Sequence, residues 1–239
     1  MAVTFSLAMM THNETTELRW LLDALRPGVG IIDEVVVVDD HSDPDCVAAI
    51  HDFGAYFPLR FHQRALERNF GAQRNFMKSL CRGELILFLD PDELPSPRIL
   101  EGLPKILEMM DRLDVDVCEL PRLNILLEGE TPVDPRGLDL GAEGLVTSWE
   151  DQVRILRNRS HLHWTRHLHE TVVGYDRGYR FPRTLDYALL HCKTRQRKAR
   201  QYAFYKTVHG RYLDRFKHSV RKRLGLLPAI EWVPAEPPV

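Results

Sequence analysis

Along the first 120 residues, apolar runs of strand length alternate with segments whose apolar positions recur every three or four residues. Val3 to Met10 is apolar and strand-length. Thr15 to Arg26 carries Leu18, Leu21, Leu22 and Leu25 at helical spacing, and Pro27, which has no backbone N–H, ends it. Glu34 to Asp39 contains Val35, Val36, Val37 and Val38. Four β-branched residues in succession predict a strand buried on both faces, as in a parallel sheet. Pro44 to Phe53 predicts a short helix closed by Gly54, Leu59 to His62 a short strand, and Ala72 to Cys81 a helix closed by Gly83. Glu84 to Leu89 predicts a second buried strand that ends at Asp90, followed by a helix over Ser96 to Arg112 and a strand over Val115 to Leu120. This alternation predicts an α/β fold: a doubly wound, mainly parallel sheet flanked by helices.

The pattern changes after residue 120. Glu128 to Trp149 is rich in Gly, Pro and acids and reads as a long loop, a lid over 128–149. Gln152 to Arg157, Thr171 to Tyr175 and Tyr187 to His191 read as strands. Beyond Lys193, the apolar residues Tyr202, Tyr205, Val208, Tyr212, Phe216 and Val220 fall three to four apart, which predicts an amphipathic helix with a packed aromatic stripe and a basic outer face. Pro228 to Val239 reads as a tail. The chain thus divides into a ligand-binding half (1–120), a second half that faces a co-substrate (121–192), a basic helical segment (193–225) and a tail (226–239), all within one structural domain.

Composition narrows the class. The 239 residues carry a formal net charge of −2, but this hides an asymmetry. Lys193 to Arg223 holds 12 Lys and Arg against one acid, Asp214, so +11, while the rest of the chain sums to −13. No apolar run approaches the ~20 residues of a membrane span. The opening residues have no basic region before the first strand, so no secretory signal is expected. Cys46, Cys81, Cys118 and Cys192 are far apart and form no CxxC pair, which predicts buried thiols in a reducing, cytoplasmic compartment.

Two of the buried strands end in acids: Val38-Asp39-Asp40-His41-Ser42 and Leu89-Asp90-Pro91-Asp92-Glu93. In open parallel sheets, ligands bind beyond the carboxyl ends of the strands. An Asp there can accept from a base or ribose hydroxyl, and a second Asp two residues on can hold a divalent cation that shares phosphate oxygens. The alternative for each pair is a cap on the following helix; two such pairs at successive strand ends favour the ligand site.

With these motifs the sequence resembles a family 2 glycosyltransferase of the GT-A fold. The resemblance runs through Phe5 to Glu14 (FSLAMMTHNE), Val35 to Asp43 (VVVVDDHSD), Gly71 to Asn75 (GAQRN), Gly83 to Glu93 (GELILFLDPDE) and His169-Glu170. It is strong over about the first 95 residues and looser over 150–192. The family's DADE-like box appears here as DPDE. The resemblance implies a metal-dependent, inverting enzyme that moves a sugar from a nucleotide-sugar donor, with a UDP-sugar favoured, to a hydroxyl on a glycan, glycolipid or other acceptor. It implies that Thr11, Asn13 and Glu14 line the nucleotide pocket, that Asp40 contacts the base, and that Arg74 lies near the nucleotide or its diphosphate. Asp90 would face the ribose, Asp92 would ligate Mn²⁺ or Mg²⁺, and Glu93 would orient the site. His191, which ends a late strand, would be a further metal ligand or an ordinary strand-end histidine.

Such a transfer needs a carboxylate to take the acceptor's proton. Glu170, after Trp164 in a segment that resembles the W…HE element of lipopolysaccharide-core-type members, is the first candidate. Asp151, in the Glu150-Asp151 pair that resembles the ED element of polymerising members, is the second. His161, His163, His167 and His169 form an HxH-x₃-HxH pattern that could be a zinc site but reads better as a polar strand and turn. Dinucleotide-dependent redox chemistry and P-loop chemistry are excluded, because Thr11-His12-Asn13-Glu14 after the first strand contains no glycine. A rival from another class is a non-catalytic nucleic-acid binder that uses the +11 segment with Tyr202, Phe204, Tyr205, Tyr212 and Phe216. Because the stripe should be packed, no nucleic-acid partner is expected. The basic face predicts instead an attraction to anions: the donor diphosphate, a phospho-linked acceptor, or the anionic surface of a membrane, at about 1 kcal/mol per basic residue near it.

Overall fold

The computed structural model describes residues 4–129, 131–141, 145–208 and 230–233. β1 (Phe5–Thr11) is followed by α1 (Thr15–Ala24), β2 (Glu34–Asp39), α2 (Pro44–His51), β3 (Leu59–Gln63), α3 (Phe70–Leu80) and β4 (Leu85–Phe88). β1 lies between β2 and β4, β3 flanks β2, and all three pairings are parallel. The alternating apolar pattern sets the layers. Leu7, Met9, Val35 and Val37 face Leu18, Leu21 and Ile50 from α1 and α2. Ala8, Val36, Val38, Ile86 and Phe88 face the other way, against Met77 of α3 and Trp164. β2 is buried at every position, as its valine run predicts for a strand covered on both sides.

The predicted helix over Ser96 to Arg112 is two helices, α4 (Pro97–Glu101) and α5 (Leu103–Leu113). Pro104 sits in the first turn of α5, where its missing N–H costs nothing, whereas inside one continuous helix its ring would clash with the preceding turn. The short β5 (Glu93–Pro95) precedes α4, and the long β6 (Val117–Leu127) follows α5.

The second half completes the same sheet. β7 (Val146–Arg157) runs antiparallel between β4 and β6. Beside β6 on its other edge lie β10 (Arg177–Arg180) at one end and β11 (Leu189–Thr194) at the other, both parallel to it, and β5 pairs antiparallel with β11. A two-stranded hairpin, β8 (His163–Thr165) and β9 (Thr171–Val173), covers α3. α6 (Arg195–Val208) follows β11.

Three further expectations need correction. The loop predicted over 128–149 ends earlier, because Thr147, Ser148 and Trp149 already pair with β6. Leu138, Leu140, Leu145 and Trp149 pack on Leu123, Ile125 and Leu127 of β6, so apolar residues dispersed among glycines and acids anchor this loop to the sheet. The tail contains β12 (Glu231–Val233), which pairs with β10. Its Trp232 ring lies on Gly178, where an added Cβ would come within 2.7 Å of the indole. Finally, the aromatic stripe is packed only in part: Tyr202 is 61% exposed, whereas Tyr205 packs against Phe70 and His169. Tyr212, Phe216 and Val220 lie outside the described residues.

Candidate active site

β1, β2 and β4 are parallel, so their carboxyl ends open at one edge of the sheet, and the chain turns there at Thr11, Asp40 and Asp90. Asn13 and His41 both take a left-handed backbone (φ 54 for each), a conformation Asn tolerates better than most residues. The two turns are lashed together. Asn13 N donates to Ser42 Oγ (2.9 Å), and Asp43 N donates to Asn13 Oδ1 (2.8 Å). Asp39 is fully buried and accepts from Ser42 N (3.0 Å) and Gln63 Nε2 (3.1 Å), so it is the structural member of the Asp39-Asp40 pair. Asp40 Oδ1 accepts from Leu66 N (2.9 Å) at the lip of the cleft. Thr11 is buried, and its carbonyl accepts from Asp40 N (2.9 Å).

Beyond β4 the acids meet three arginines. Arg74, on α3 and 4% exposed, donates from Nη2 to Asp90 Oδ1 (3.0 Å) and from Nε to Glu170 Oε1 (2.7 Å). Trp164 backs its guanidinium, with the ring centre 5.0 Å away. Arg154, on β7 and equally buried, donates to Asp90 Oδ2 (3.0 Å) and Glu93 Oε1 (2.5 Å). Arg122, on β6, donates to Glu93 (3.0 Å) and to Glu150. Glu93 has no exposed surface, and its second oxygen accepts from Asp90 N (3.2 Å). Glu93 is therefore the keystone that orients the DPDE turn. Burial alone would raise the Asp90 carboxyl, but Arg74 and Arg154 outweigh it and hold it down at about 2.

Asp92 faces a different set. His191 Nε2 stands 3.4 Å from its Oδ2, Lys193 Nζ 3.2 Å and Arg197 Nη2 3.3 Å. Burial opposes ionisation of Asp92, but Lys193, His191 and Arg197 keep its pKa well below the usual carboxylate range. The sheet register makes this meeting: His191 on β11 is paired with Glu93 on one side and Asn124 on the other. His191 Nδ1 lies 2.7 Å from Asn124 Oδ1, while Asn124 Nδ2 lies 3.5 Å from Glu150 Oε2. A carboxylate only accepts, so Asn124 turns its Nδ2 to Glu150 and its Oδ1 to the His191 ring, which fixes the ring with Nε2 toward Asp92. Burial lowers the His191 pKa against the pull of Asp92, which favours the neutral ring.

A hard divalent cation commonly takes one or two protein groups and completes its shell with phosphate oxygens and water. Asp92 and His191, whose Nε2 stands 3.4 Å from Asp92 Oδ2, fit that requirement as a pair. Among the described residues no three His, Cys, Asp or Glu side chains cluster as a metal cage, so the remaining ligands would have to come from the donor and solvent.

Glu14 lies on the Asp92 side of the cleft, where Arg197 bridges it to Glu17 and Asp92. Burial first, and then the charge of Asp92, push Glu14 up to about 8 against Arg197. Of the two base candidates, the structure brings in Glu170 and leaves out Asp151. Strand neighbours point to opposite faces, and in β7 it is Glu150 that reaches Arg122 and Asn124. Asp151 is paired instead with Arg183 (2.8 Å) and Arg180 (3.7 Å), beside a cleft lined by Phe181, Pro182 and Trp232.

Sequence reasoning missed Arg122, Asn124 and Arg154, and from the Glu150-Asp151 pair it picked Asp151 where the structure turns Glu150 to Arg122. The signal for Arg154 was present: a lone charge inside the apolar run Val153 to Leu156 requires a buried counter-charge. Which acid it meets depends on sheet order, which the sequence does not display.

Beyond the parallel strand ends the structure thus gathers paired acids, buried arginines and a carboxylate on the facing hairpin. The chain belongs to glycosyl transferase family 2, whose family model matches residues 6–181. Among solved structures it is similar to S. aureus TarS 1-349 in complex with UDP-GlcNAc, at 23% identity over 54% of this chain and 37% of that one, with a TM-score of 0.44. It is also similar to the mannosyltransferase PcManGT from Pyrobaculum calidifontis in complex with GDP-Man and Mn²⁺, at 18% identity over 48% and 34% of the two chains, TM-score 0.41. A third is glucosyl-3-phosphoglycerate synthase from Mycobacterium tuberculosis in complex with Mn²⁺, UDP and glucosyl-3-phosphoglycerate, at 17% identity over 53% and 45%, TM-score 0.38. The chain thus spans less than half the length of each of these structures.

Proposed function

We propose that this chain transfers a sugar from a nucleotide-sugar donor to an acceptor hydroxyl, with a divalent cation, Mn²⁺ or Mg²⁺, held by Asp92 and His191. The observation that carries this reading is the Asp90–Arg74–Glu170 chain. One buried guanidinium ties the acid at the donor strand end to a carboxylate on the facing hairpin. Arg74 thereby fixes the spacing between the donor pocket and the proton acceptor, which is how positioning lowers a barrier.

In this reading Thr11, Asn13, Glu14 and Asp40 line the base-and-ribose end, and Asp90, held ionised by Arg74 and Arg154, accepts from the ribose. When bound, the cation supplies Lewis-acid stabilisation to the diphosphate that leaves. Glu170 takes the proton of the acceptor hydroxyl as that oxygen bonds to the anomeric carbon. The bond from that carbon to the diphosphate oxygen breaks in the same step, and the leaving nucleoside diphosphate carries its electron pair. A single displacement inverts the anomeric centre. A UDP-sugar donor and a glycan or glycolipid acceptor follow from the family resemblance. A cytoplasmic location with peripheral contact at an anionic membrane rests on the reducing-compartment cysteines and the basic run. Flotation with anionic liposomes, compared with neutral ones, tests the contact, and equal recovery from both contradicts it.

Glu170→Gln keeps the shape and the hydrogen bond to Arg74 but cannot take a proton. It should lower transfer at least ~10²-fold and leave nucleotide binding within error. Near-normal turnover would remove Glu170 from the role.

A further inference from the structure

α6 is an unusual neighbour for an active site. None of its residues is buried, two of its aromatics are exposed, and its basic side chains would suit open solvent. Yet it is held to the body at the site's own acids. The Arg197 guanidinium sits between Glu14, Glu17 and Asp92, and Lys193, just ahead of the helix, reaches Asp92 at 3.2 Å. Lys193 Nζ also donates to Gln201 Oε1 (3.0 Å), and Gln201 Nε2 donates to Tyr205 Oη (2.8 Å). The Tyr205 ring packs edge-on against Phe70 (6.1 Å) and His169 (6.0 Å). This stretch lies beyond residue 181, where the family match ends.

Two cations on Asp92 and a divalent ion on the same carboxylate exclude one another, because three positive groups would then crowd one negative charge. A donor changes that balance, since its diphosphate brings negative charge to the same place. Arginine and lysine are the side chains suited to phosphate, and a guanidinium can exchange a carboxylate partner for a phosphate partner without rebuilding its surroundings. We propose that Lys193 and Arg197 are diphosphate-binding residues that neutralise Asp92 while the donor is absent, so that the divalent cation competes with them and the nucleoside diphosphate recruits them. This rests on the donor-site reading above. It makes α6 part of the donor pocket: the helix closes on acids when the pocket holds no donor and on phosphate when it does.

The test is equilibrium binding to the full-length chain after chelator treatment, with Arg197→Gln beside the parent. Mn²⁺ alone, followed by the signal of the free ion in electron paramagnetic resonance, should bind about tenfold tighter to Arg197→Gln, because its competitor is gone. UDP without metal, followed by calorimetry, should bind about tenfold weaker, because a phosphate contact is gone. Unchanged or weaker Mn²⁺ binding overturns the competition, and unchanged UDP binding overturns the hand-over. Loss of both affinities marks Arg197 as a purely structural residue and overturns the proposal as a whole. Arg200→Gln, on the exposed side of α6, should change neither affinity. Lys193→Gln, a milder change, should repeat both shifts in the same directions. Hydrogen exchange over 195–208 in the unaltered chain supplies a readout that needs no variant: Mn²⁺ alone should speed it, and Mn²⁺ with UDP should slow it. The opposite order contradicts the proposal. If the parent chain binds neither UDP nor Mn²⁺, the donor-site reading itself fails, which is a different result from parent binding that Arg197→Gln leaves untouched.

Discussion

At the scale of the residue, charge in this cleft is built from buried ion pairs, whose energetics are asymmetric. A buried pair contributes little net stability, but removal of one partner strands the other. Arg154 is the sharpest case, because it serves Asp90 and Glu93 together and its side chain is 3% exposed. Arg154→Met should keep the volume and still destabilise the fold by about 3–5 kcal/mol, measured by denaturant unfolding. A loss below ~1 kcal/mol would mean that Arg122 alone satisfies Glu93. Asp90 gives a pH dependence with a definite sign. Its carboxyl titrates near 2 in the folded chain against 3.8 in the reference state, so the unfolded chain binds the proton more readily below pH 3.8. The stability it contributes is complete above that pH and is lost as pH falls through 3.8 toward 2. Asp90→Asn should flatten the unfolding profile in that window, and an unchanged profile would contradict the assignment. The acids of this site were legible in the sequence because they stand at the ends of apolar runs. Their partners were not: Arg122, Asn124 and Arg154 lie on strands whose neighbours are set by tertiary pairing.

At the scale of the element, periodicity placed β1, β2, β4 and α3 within a few residues, since each buries a full face and the burial imposes the pattern. It failed where an element buries little or is too short to show a period. β5, β8, β10 and β12 have three or four residues each and were not foreseen. The hairpin of β8 and β9 matters most, because it carries Glu170. Besides the Arg74–Glu170 pair, Asn75 of α3 clasps it with both ends of its amide: Asn75 Nδ2 donates to the Trp164 carbonyl (2.7 Å), and Trp164 N donates to Asn75 Oδ1 (2.7 Å). Asn75 thus acts as a strand partner for one residue and holds the hairpin at the distance Arg74 can bridge. Asn75→Ala removes both bonds at a partly buried place. It should cost about 1–3 kcal/mol and lower turnover more than donor affinity. A variant that loses donor binding and turnover in equal proportion would show that Asn75 supports the whole pocket rather than the hairpin.

At the scale of the molecule, a charge near zero conceals a negative body and a positive carboxy-terminal run. The sequence showed the asymmetry, but periodicity overstated how much of the helix is packed. α6 packs Tyr205 of the stripe on Phe70 and His169, sends Arg197 into the acids and leaves Tyr202 in solvent. Part of the positive run is therefore spent within the molecule, as counter-charge for the site that the negative body builds. The sheet explains the economy of the site: parallel strands deliver Thr11, Asp40 and Asp90 to one edge, and β11 adds His191 through its register with β5 and β6. The most direct test of that site is release of nucleoside diphosphate from a panel of nucleotide sugars, measured with Mn²⁺ and with chelator, for the parent chain and Asp92→Asn. At least one donor, a UDP-sugar first among them, should be cleaved only with Mn²⁺ and only by the parent. Cleavage of no donor, or cleavage that ignores both the metal and Asp92, would contradict the assignment of this cleft as a metal-dependent glycosyl-transfer site.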